Sequence, residues 1–292
     1  MFIRNERHGL VYYTSKLLSE AGFRHMFCSR MGGVSCGDFA SLNVSTARKD
    51  INGYTDSPAR VEENYRRALA VLDIAPENAC AAKQVHSDAV VAVKETDGGR
   101  GICVSSSTMP EGDGLLLEPD NGHACAVCVK TADCVPILLA NRRTGAVSAV
   151  HAGWRGSALG IVATAAERLS EGKAEDVLAA IGPCVGVCCY EVGNEVVSAF
   201  SQLLRAGEGG SEIERYLPLF PSCSMGGRRH VDLAGINRFL LVHSGVPENN
   251  IEVSGMCTSC FRDEVTGEKM FFSHRASGGH SGTFPSIICV KE

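Results

Sequence analysis

The sequence predicts an α+β fold, and three observations predict it. Stretches with strand and helix periodicity are interleaved without strict β–α–β alternation, which argues against a doubly wound parallel sheet. Two apolar runs, Val135–Ala140 and Ala146–Val150, are joined by the short polar segment Asn141–Gly145, the pattern of a buried hairpin. The chain has 292 residues, 45% hydrophobic and 21% charged, which suffices for one large core or two small ones.

The elements follow in order. Pro58–Leu72 is a helix, with Val61, Tyr65, Ala68, Leu69 and Leu72 along one face. Ala79–Val85 and Ala89–Val93 are strands around a turn that holds His86, Ser87 and Asp88, and Ala124–Val129 is another strand. In the hairpin, pairing Ala140 with Ala146 places Val135 opposite His151, with Cys134 as its diagonal neighbour or, after a bulge, its direct partner. Either way the two lie within about 5–8 Å. Pro136 marks an edge or bulged position. After turns at Gly153 and Gly156, Ser157 is the expected N-cap of a helix from Ala158 to Leu169, stopped at Gly172. Asn194–Arg205 is a helix, Ala206–Ser211 a flexible loop and Val231–Gly245 a further helix, with Leu233, Ile236, Leu240 and Leu241 on one face. Ile251–Val253 and Ser286–Val290 are strands.

Net charge is −5, which gives no basic footprint for nucleic acid. No apolar run reaches the roughly 18–20 residues that cross a bilayer, so no membrane partner is expected. The opening residues Met1–Tyr13 carry Arg4, Glu6, Arg7 and His8, unlike a secretory signal. Many of the 14 cysteines sit in apolar surroundings, as Cys80, Cys125, Cys128 and Cys289 do, where a free thiol packs as a small hydrophobe. These features together predict a cytoplasmic protein with reduced thiols.

Three short motifs stand out: Lys83-Gln84-Val85-His86, Thr131-Ala132-Asp133-Cys134 and His151-Ala152-Gly153-Trp154-Arg155-Gly156. Two imidazoles and one thiolate suit zinc and leave a coordination position for water or substrate, the pattern of a catalytic site. A single His or Cys is most often scaffold; the hairpin is what joins Cys134 to His151, while His86 has only its loop position. Asp133 is either a strand-end carboxylate or a group that orients a ligand or acts as general base. Asp88 and Asp113 read as turn residues, and Arg66-Arg67 and Arg142-Arg143 as solvated faces. Arg155 beside a helix N-terminus forms an anion site. Cys257-Thr258-Ser259-Cys260 is a CxxC without a second CxxC to complete a structural zinc site. Pro183-Cys184-Val185-Gly186-Val187-Cys188 departs from the zinc deaminase pattern by one residue of spacing, and no H-x-E accompanies it. Glycine-rich nucleotide loops, G-x-S-x-G and H-E-x-x-H are absent.

At the three motifs the chain resembles the laccase-domain family, also called the purine nucleoside phosphorylase type and peptidoglycan editing factors, and once described as multicopper polyphenol oxidoreductases. The likeness runs from Cys28 to Val290. It includes Ser29–Ser35, Ser41-Leu42-Asn43, Asn64, Ile181-Gly182-Pro183, Tyr190–Gly193, Asp232-Leu233, Asn237, Cys257-Thr258 and Phe272–Arg275. The resemblance implies a single domain over residues 1–292, built as a mixed α/β sandwich with central, mostly antiparallel sheets near the cytotoxic necrotizing factor catalytic domain. It implies Zn2+ held by His86, Cys134 and His151. It also implies phosphorolysis of adenosine, inosine, guanosine or methylthioadenosine, and deamination of adenosine.

On this reading Cys134, Asp133 and Arg155 are the catalytic candidates, and Arg30, Asn43 and Arg275 bind substrate. Arg30, Arg155 and the amides near Ser157 are the candidates for phosphate, so loss of Arg155 should damage phosphorolysis more than deamination. One departure is visible: the family has Tyr-Arg-Arg where this chain has His274-Arg275-Ala276. An amidase that edits peptidoglycan precursors by removing misincorporated L-Ser is the alternative. A copper oxidase needs more histidine clusters than nine histidines and one three-ligand group suggest, and a closed structural site lacks an evident fourth ligand.

Overall fold

Strand pairing organises the chain into two six-stranded sheets. The computed structural model describes residues 1–105, 108–119, 125–206, 215–220, 228–264 and 266–291. The first sheet contains β1 (Phe2–Arg7), β2 (Leu10–Ser15), β3 (His25–Cys28), β4 (Ala79–Ala81), β7 (Ala126–Thr131) and β14 (Phe284–Cys289), in the order β1-β2-β3-β14-β7-β4. The second contains β5 (Val90–Val93), β6 (Gly114–Leu117), β8 (Val135–Asn141), β9 (Val147–Ala152), β10 (Val177–Ile181) and β13 (Ile251–Val253), in the order β13-β10-β8-β9-β6-β5. Leu219–Phe220 (β11) and Arg228–Arg229 (β12) form a separate ribbon. Both large sheets are mixed. Antiparallel pairs dominate their interiors, and parallel pairing is confined to the edge strands β4, β5 and β13.

Alternation along β8 and β9 explains the layering. Val135, Ile137, Leu139 and Val150 face one apolar cluster, while Leu138, Ala140, Val147 and Ala149 face another. The second cluster also takes Phe27, Val127, Val129 and Ile288 from the first sheet, so it is the filling between the two sheets. Outside the first sheet lies α2 (Pro58–Val71), seated by Val61, Tyr65, Ala68 and Leu69. Outside the second lie α4 (Ile161–Ser170) and α6 (Leu233–His243), with Val196 and Phe200 of α5 (Asn194–Ala206). A short α1 (Lys16–Glu20) follows β2. The interleaved order matches the α+β expectation: each face of a sheet has to be covered, and helices from distant parts of the chain cover the outer faces.

The hairpin register differs by one residue from the sequence expectation. Ala140 pairs with Val147 and His151 lies opposite Pro136. Asn141 causes the shift. It extends β8 by pairing with Val177, and its side-chain oxygen accepts the N–H groups of Arg143 and Thr144, which draws Ala146 into the turn. The shift leaves Cys134 in the bend just before β8, two residues from His151's partner Pro136.

The expected helix from Ala158 to Leu169 is instead two pieces, α3 (Trp154–Ala158) and α4, separated by Gly160 at φ 81°. Ser157 is no cap: it is buried in α3, and its hydroxyl accepts from Asn237 Nδ2 at 2.9 Å. Asp232 caps α6 by accepting the Gly235 N–H at 2.9 Å, which starts that helix later than its apolar pattern suggests. The strand expected from Ala124 begins at Ala126, and residue 124 lies outside the described residues, as does the expected loop from residue 207 onward.

His25 sits in the wall of this core. Its Nε2 accepts the Ser15 N–H at 2.8 Å and its Nδ1 donates to the Phe23 carbonyl at 2.9 Å. Burial pulls its pKa from 6.5 down to about 4, against the bond to Phe23. Protonation would turn Nε2 into a second donor facing an N–H. As pH falls the unfolded chain takes up this proton first, so stability drops between pH 6.5 and about 4, by about 3 kcal/mol in total. Urea unfolding across that range should show the loss in the wild type and a flatter profile in His25→Gln; identical profiles would refute the assignment.

Candidate metal centre

Cys134 and His151 occupy adjoining ends of β8 and β9, where the inter-sheet filling gives way to a cavity. The His86 loop closes over them. The Nε2 of His86 is 3.9 Å from Cys134 Sγ, and the His86 and His151 rings meet edge to face with centroids 4.9 Å apart. One ligand atom from each of the three residues lies within 4.8 Å of the other two. Among the described residues no fourth Cys, His, Asp or Glu joins this group. A three-donor set of two nitrogens and one thiolate, with a position left over, fits a metal ion of the catalytic kind.

Asp113 holds the arrangement together. Fully buried, its carboxylate accepts the backbone N–H groups of Val85, His86 and Ser87 at 3.2, 3.0 and 2.7 Å and the Ser87 hydroxyl at 2.8 Å. His151 Nδ1 lies 2.8 Å from Asp113 Oδ1, which fixes the tautomer and leaves Nε2 as the metal-facing nitrogen. Burial alone would raise the Asp113 pKa, but His151 and the Ser87 donors hold it well below the usual carboxylate range. This explains why the strand expected to reach Val85 stops at Ala81: the amides of residues 85–87 turn to the carboxylate, and His86 takes a left-handed φ of 63°. The sequence reading of Asp113 as a turn residue is therefore corrected. The signal was an acid set directly before the buried run Gly114–Leu117, whose ionised form needs several donors.

Electrostatics favour a thiolate. Burial opposes ionisation of Cys134, yet the neighbouring His151 and His86 bring its pKa down to about 6. Burial likewise disfavours charge on His151, and the Cys134 sulfur with Asp113 more than offsets it, raising His151 to about 9. Gly153 supplies the room. A Cβ there would lie 3.0 Å from His86 Cδ2 and 3.2 Å from Cys134 Sγ, inside the space an ion would use.

The cavity measures about 290 Å³ and is lined by His86, Asp133 and Cys134, with Ala132, Val185, Tyr190 and Leu233 as its apolar part and Arg48, His274 and Arg275 as its polar rim. A larger cavity of about 420 Å³ beside Cys184 and Cys257 includes none of the three ligands. Asp133, at φ 95°, has both oxygens committed, Oδ1 to the Thr258 hydroxyl and Oδ2 to the Arg275 N–H, each at 2.6 Å. Arg275 reaches the Glu191 carbonyl at 2.8 Å and its guanidinium lies 5.4 Å from the Tyr190 ring centroid.

The other candidates sit elsewhere. Arg155 is exposed and stacked 4.3 Å over Trp154. Arg30 donates to the Ala40 carbonyl, lies over Phe272 and borders a different cavity. Asn43 is fully buried and all its hydrogen-bonding capacity is used by Ser45, Asp56 and Thr283. Sequence reasoning missed Arg48, whose Nη1 is 3.2 Å from His274 Nδ1. It brings a basic group to the rim beside His274, next to the point where the family's Tyr-Arg-Arg is absent.

Known proteins resemble this chain along most of its length. A family model described as multi-copper polyphenol oxidoreductase laccase matches residues 24–291. A purine nucleoside phosphorylase, YlmD, of Geobacillus stearothermophilus is 33% identical over 270 residues, covering 90% of this chain and 89% of that protein. An adenosine deaminase, RL5, from an unknown prokaryotic organism is 36% identical over 209 residues, covering 70% of this chain and 72% of that one. The crystal structure of the Bacillus licheniformis hypothetical protein YfiH superposes with a TM-score of 0.82 at 28% identity, covering 99% of both chains.

Two substitutions test the centre. Gly153→Ala should lower the metal content by the one equivalent held at this centre while leaving the far-ultraviolet circular dichroism unchanged. Asp113→Asn should weaken metal affinity by roughly 10–100-fold, measured by competition with a chromogenic chelator. Wild-type affinity in both would show that no ion sits there.

Proposed function

The chain belongs to the multi-copper polyphenol oxidoreductase laccase family, and on that premise we propose that it is a zinc-dependent purine nucleoside enzyme that cleaves nucleosides with phosphate and deaminates adenosine. The observation that carries the reading is the convergence of His86, Cys134 and His151, the first two of which line a cavity with an apolar wall and a cationic rim. Relatives named purine nucleoside phosphorylase and adenosine deaminase support both activities.

Zinc is favoured by the mixed nitrogen and thiolate donor set. When bound, it would supply Lewis acidity, acidifying water for deamination and polarising a substrate oxygen. The chain's own residues do the rest. Tyr190, Val185 and Leu233 offer an apolar platform for a planar base. Arg48 and Arg275 give the rim two positive charges for phosphate. Burial and the nearby positive charge of Arg48 lower the pKa of His274, so it stands there as a neutral group able to donate or accept one hydrogen bond. Asp133, with both oxygens engaged, acts as a positioning residue that holds the Arg275 backbone against the cavity. Arg155 stands outside the lining, so Arg48 and Arg275 are the better phosphate candidates.

Side-by-side assays of inosine phosphorolysis and adenosine deamination test the reading, with a serine-containing muropeptide as control. His86→Ala should remove both nucleoside activities. Arg48→Ala should raise the KM for phosphate by about tenfold, worth about 1.4 kcal/mol, and change adenosine deamination little. Equal losses in both activities would sink the phosphate assignment; turnover of the muropeptide alone would sink the nucleoside reading.

A further inference from the structure

We propose that Cys188, Cys189, Cys257 and Cys260 hold a second zinc ion in a closed tetrathiolate site that clamps the loop after β10 to the loop after β13. One sulfur from each lies within 4.8 Å of all the others. Cys188 Sγ and Cys260 Sγ are 3.7 Å apart. Four sulfurs at the usual zinc–thiolate distance of about 2.3 Å form a tetrahedron with edges of about 3.8 Å, whereas a disulfide needs about 2.05 Å. The separation is that of two ligands of one ion.

The backbone prepares this site from segments about 70 residues apart in sequence. Cys184 and Cys257 form a parallel bridge, fixed by Cys184 N–H to the Met256 carbonyl at 3.2 Å and Thr258 N–H to the Cys184 carbonyl at 2.9 Å. Each strand then curls. Cys189 N–H returns to the Gly186 carbonyl at 2.9 Å and Phe261 N–H to the Cys257 carbonyl at 2.8 Å, turning all four thiols toward one point. Gly186 donates its N–H to Cys257 Sγ at 3.2 Å, and the amides of Ser259 and Cys260 also point at that sulfur. Donors aimed at a thiolate offset the negative charge that four thiolates leave around one dication. A Cβ at Gly186 would crowd this approach, lying 3.1 Å from Cys257 Cβ and 3.3 Å from Cys188 Sγ.

Four protein ligands leave no position for a reactant, so the site is structural. Its position gives it a task. The clamped loops carry Tyr190 and Val185 of the cavity lining, and Thr258, which bonds Asp133 next to Cys134. Val185 N–H also donates to the Asp133 carbonyl at 2.9 Å. The second ion would thus brace one wall of the first centre without touching it. The CxxC at Cys257 has its missing partners in the adjacent pair Cys188-Cys189, a spacing that no search for a second CxxC detects.

The inference is independent of what the first centre does, and metal counting separates them. Protein purified under reductant and passed over chelating resin should retain one zinc per chain in the double variant His86→Ala/Cys134→Ala, measured by inductively coupled plasma mass spectrometry. Replacing that zinc with cobalt should give the sulfur-to-cobalt charge-transfer and intense visible bands of a tetrahedral four-thiolate complex. This readout keeps every cysteine of the proposed site in place, so it stands even if Cys257→Ser/Cys260→Ser fails to fold. Where that variant folds, it should lose one equivalent of zinc relative to wild type. A first-centre variant that retains no metal, or an intact mass four hydrogens light from two disulfides, would overturn the site.

Discussion

A single buried carboxylate decides whether the centre exists. Asp113 takes N–H donors from three successive residues of the His86 loop and an imidazole nitrogen from β9, so a loop and a strand from different parts of the chain are fixed by one group. Ionised and out of water, a carboxylate is tolerable only when its lone pairs are filled. The donors fill them, and in doing so they hold His86 in a backbone conformation that a histidine adopts at a cost of about 1–3 kcal/mol. The loop's strain and the carboxylate's desolvation are thereby settled against each other. The Asp113 carbonyl also accepts the His151 N–H at 2.7 Å, so the residue that orients the ligand side chain also sets its strand.

What the sequence made legible followed from local periodicity. The apolar runs of β8 and β9, the face of α2 and the mixture of strands and helices could be read because burial on a sheet or helix imposes a repeat of 2 or 3.6 residues. The nearness of Cys134 to His151 was readable for the same reason, since a hairpin converts sequence distance into spatial distance. The register was off by one because Asn141 bonds into its own turn, and side-chain capping of that kind leaves no periodic trace. The break at Gly160 was hidden by an apolar pattern that runs on through it.

Long-range polar contacts were the illegible part. Asp113, Arg48 and the four-cysteine cluster each depend on segments far apart in the chain, and nothing in the spacing of one segment points to the other. Family motifs misled in the opposite direction. Asn43 and Asn64 stand in matched motifs, yet both are wholly occupied inside the protein: Asn64 accepts from Val34 N–H and donates to Ser35, Ser41 and Asn43. A buried amide with all its hydrogen bonds made internally constrains sequence as strictly as a catalytic group does, because removing it strands several partners at about 1–3 kcal/mol each.

The three-donor group and the four-cysteine cluster stand on different sides of one cavity, and their supports differ. An open three-ligand site cannot be stabilised by the ion alone, since the vacant position that permits chemistry also permits movement of the ligands. Here sheet pairing fixes His151 in β9, Cys134 leads directly into β8, and Asp113 fixes the His86 loop. The opposite wall, Val185 to Tyr190, has no such sheet behind it: the segment leaves β10 as a loop of turns. A closed four-thiolate ion is suited to that wall, because it stiffens irregular chain without asking for a strand register. The contacts of Asp133 with Thr258, Val185 and Arg275 then transmit that stiffness to the residue next to Cys134. Support on both sides holds the cavity in shape, and its polar rim is tied down as well, Arg275 to Asp133 and the Glu191 carbonyl and Arg48 to His274.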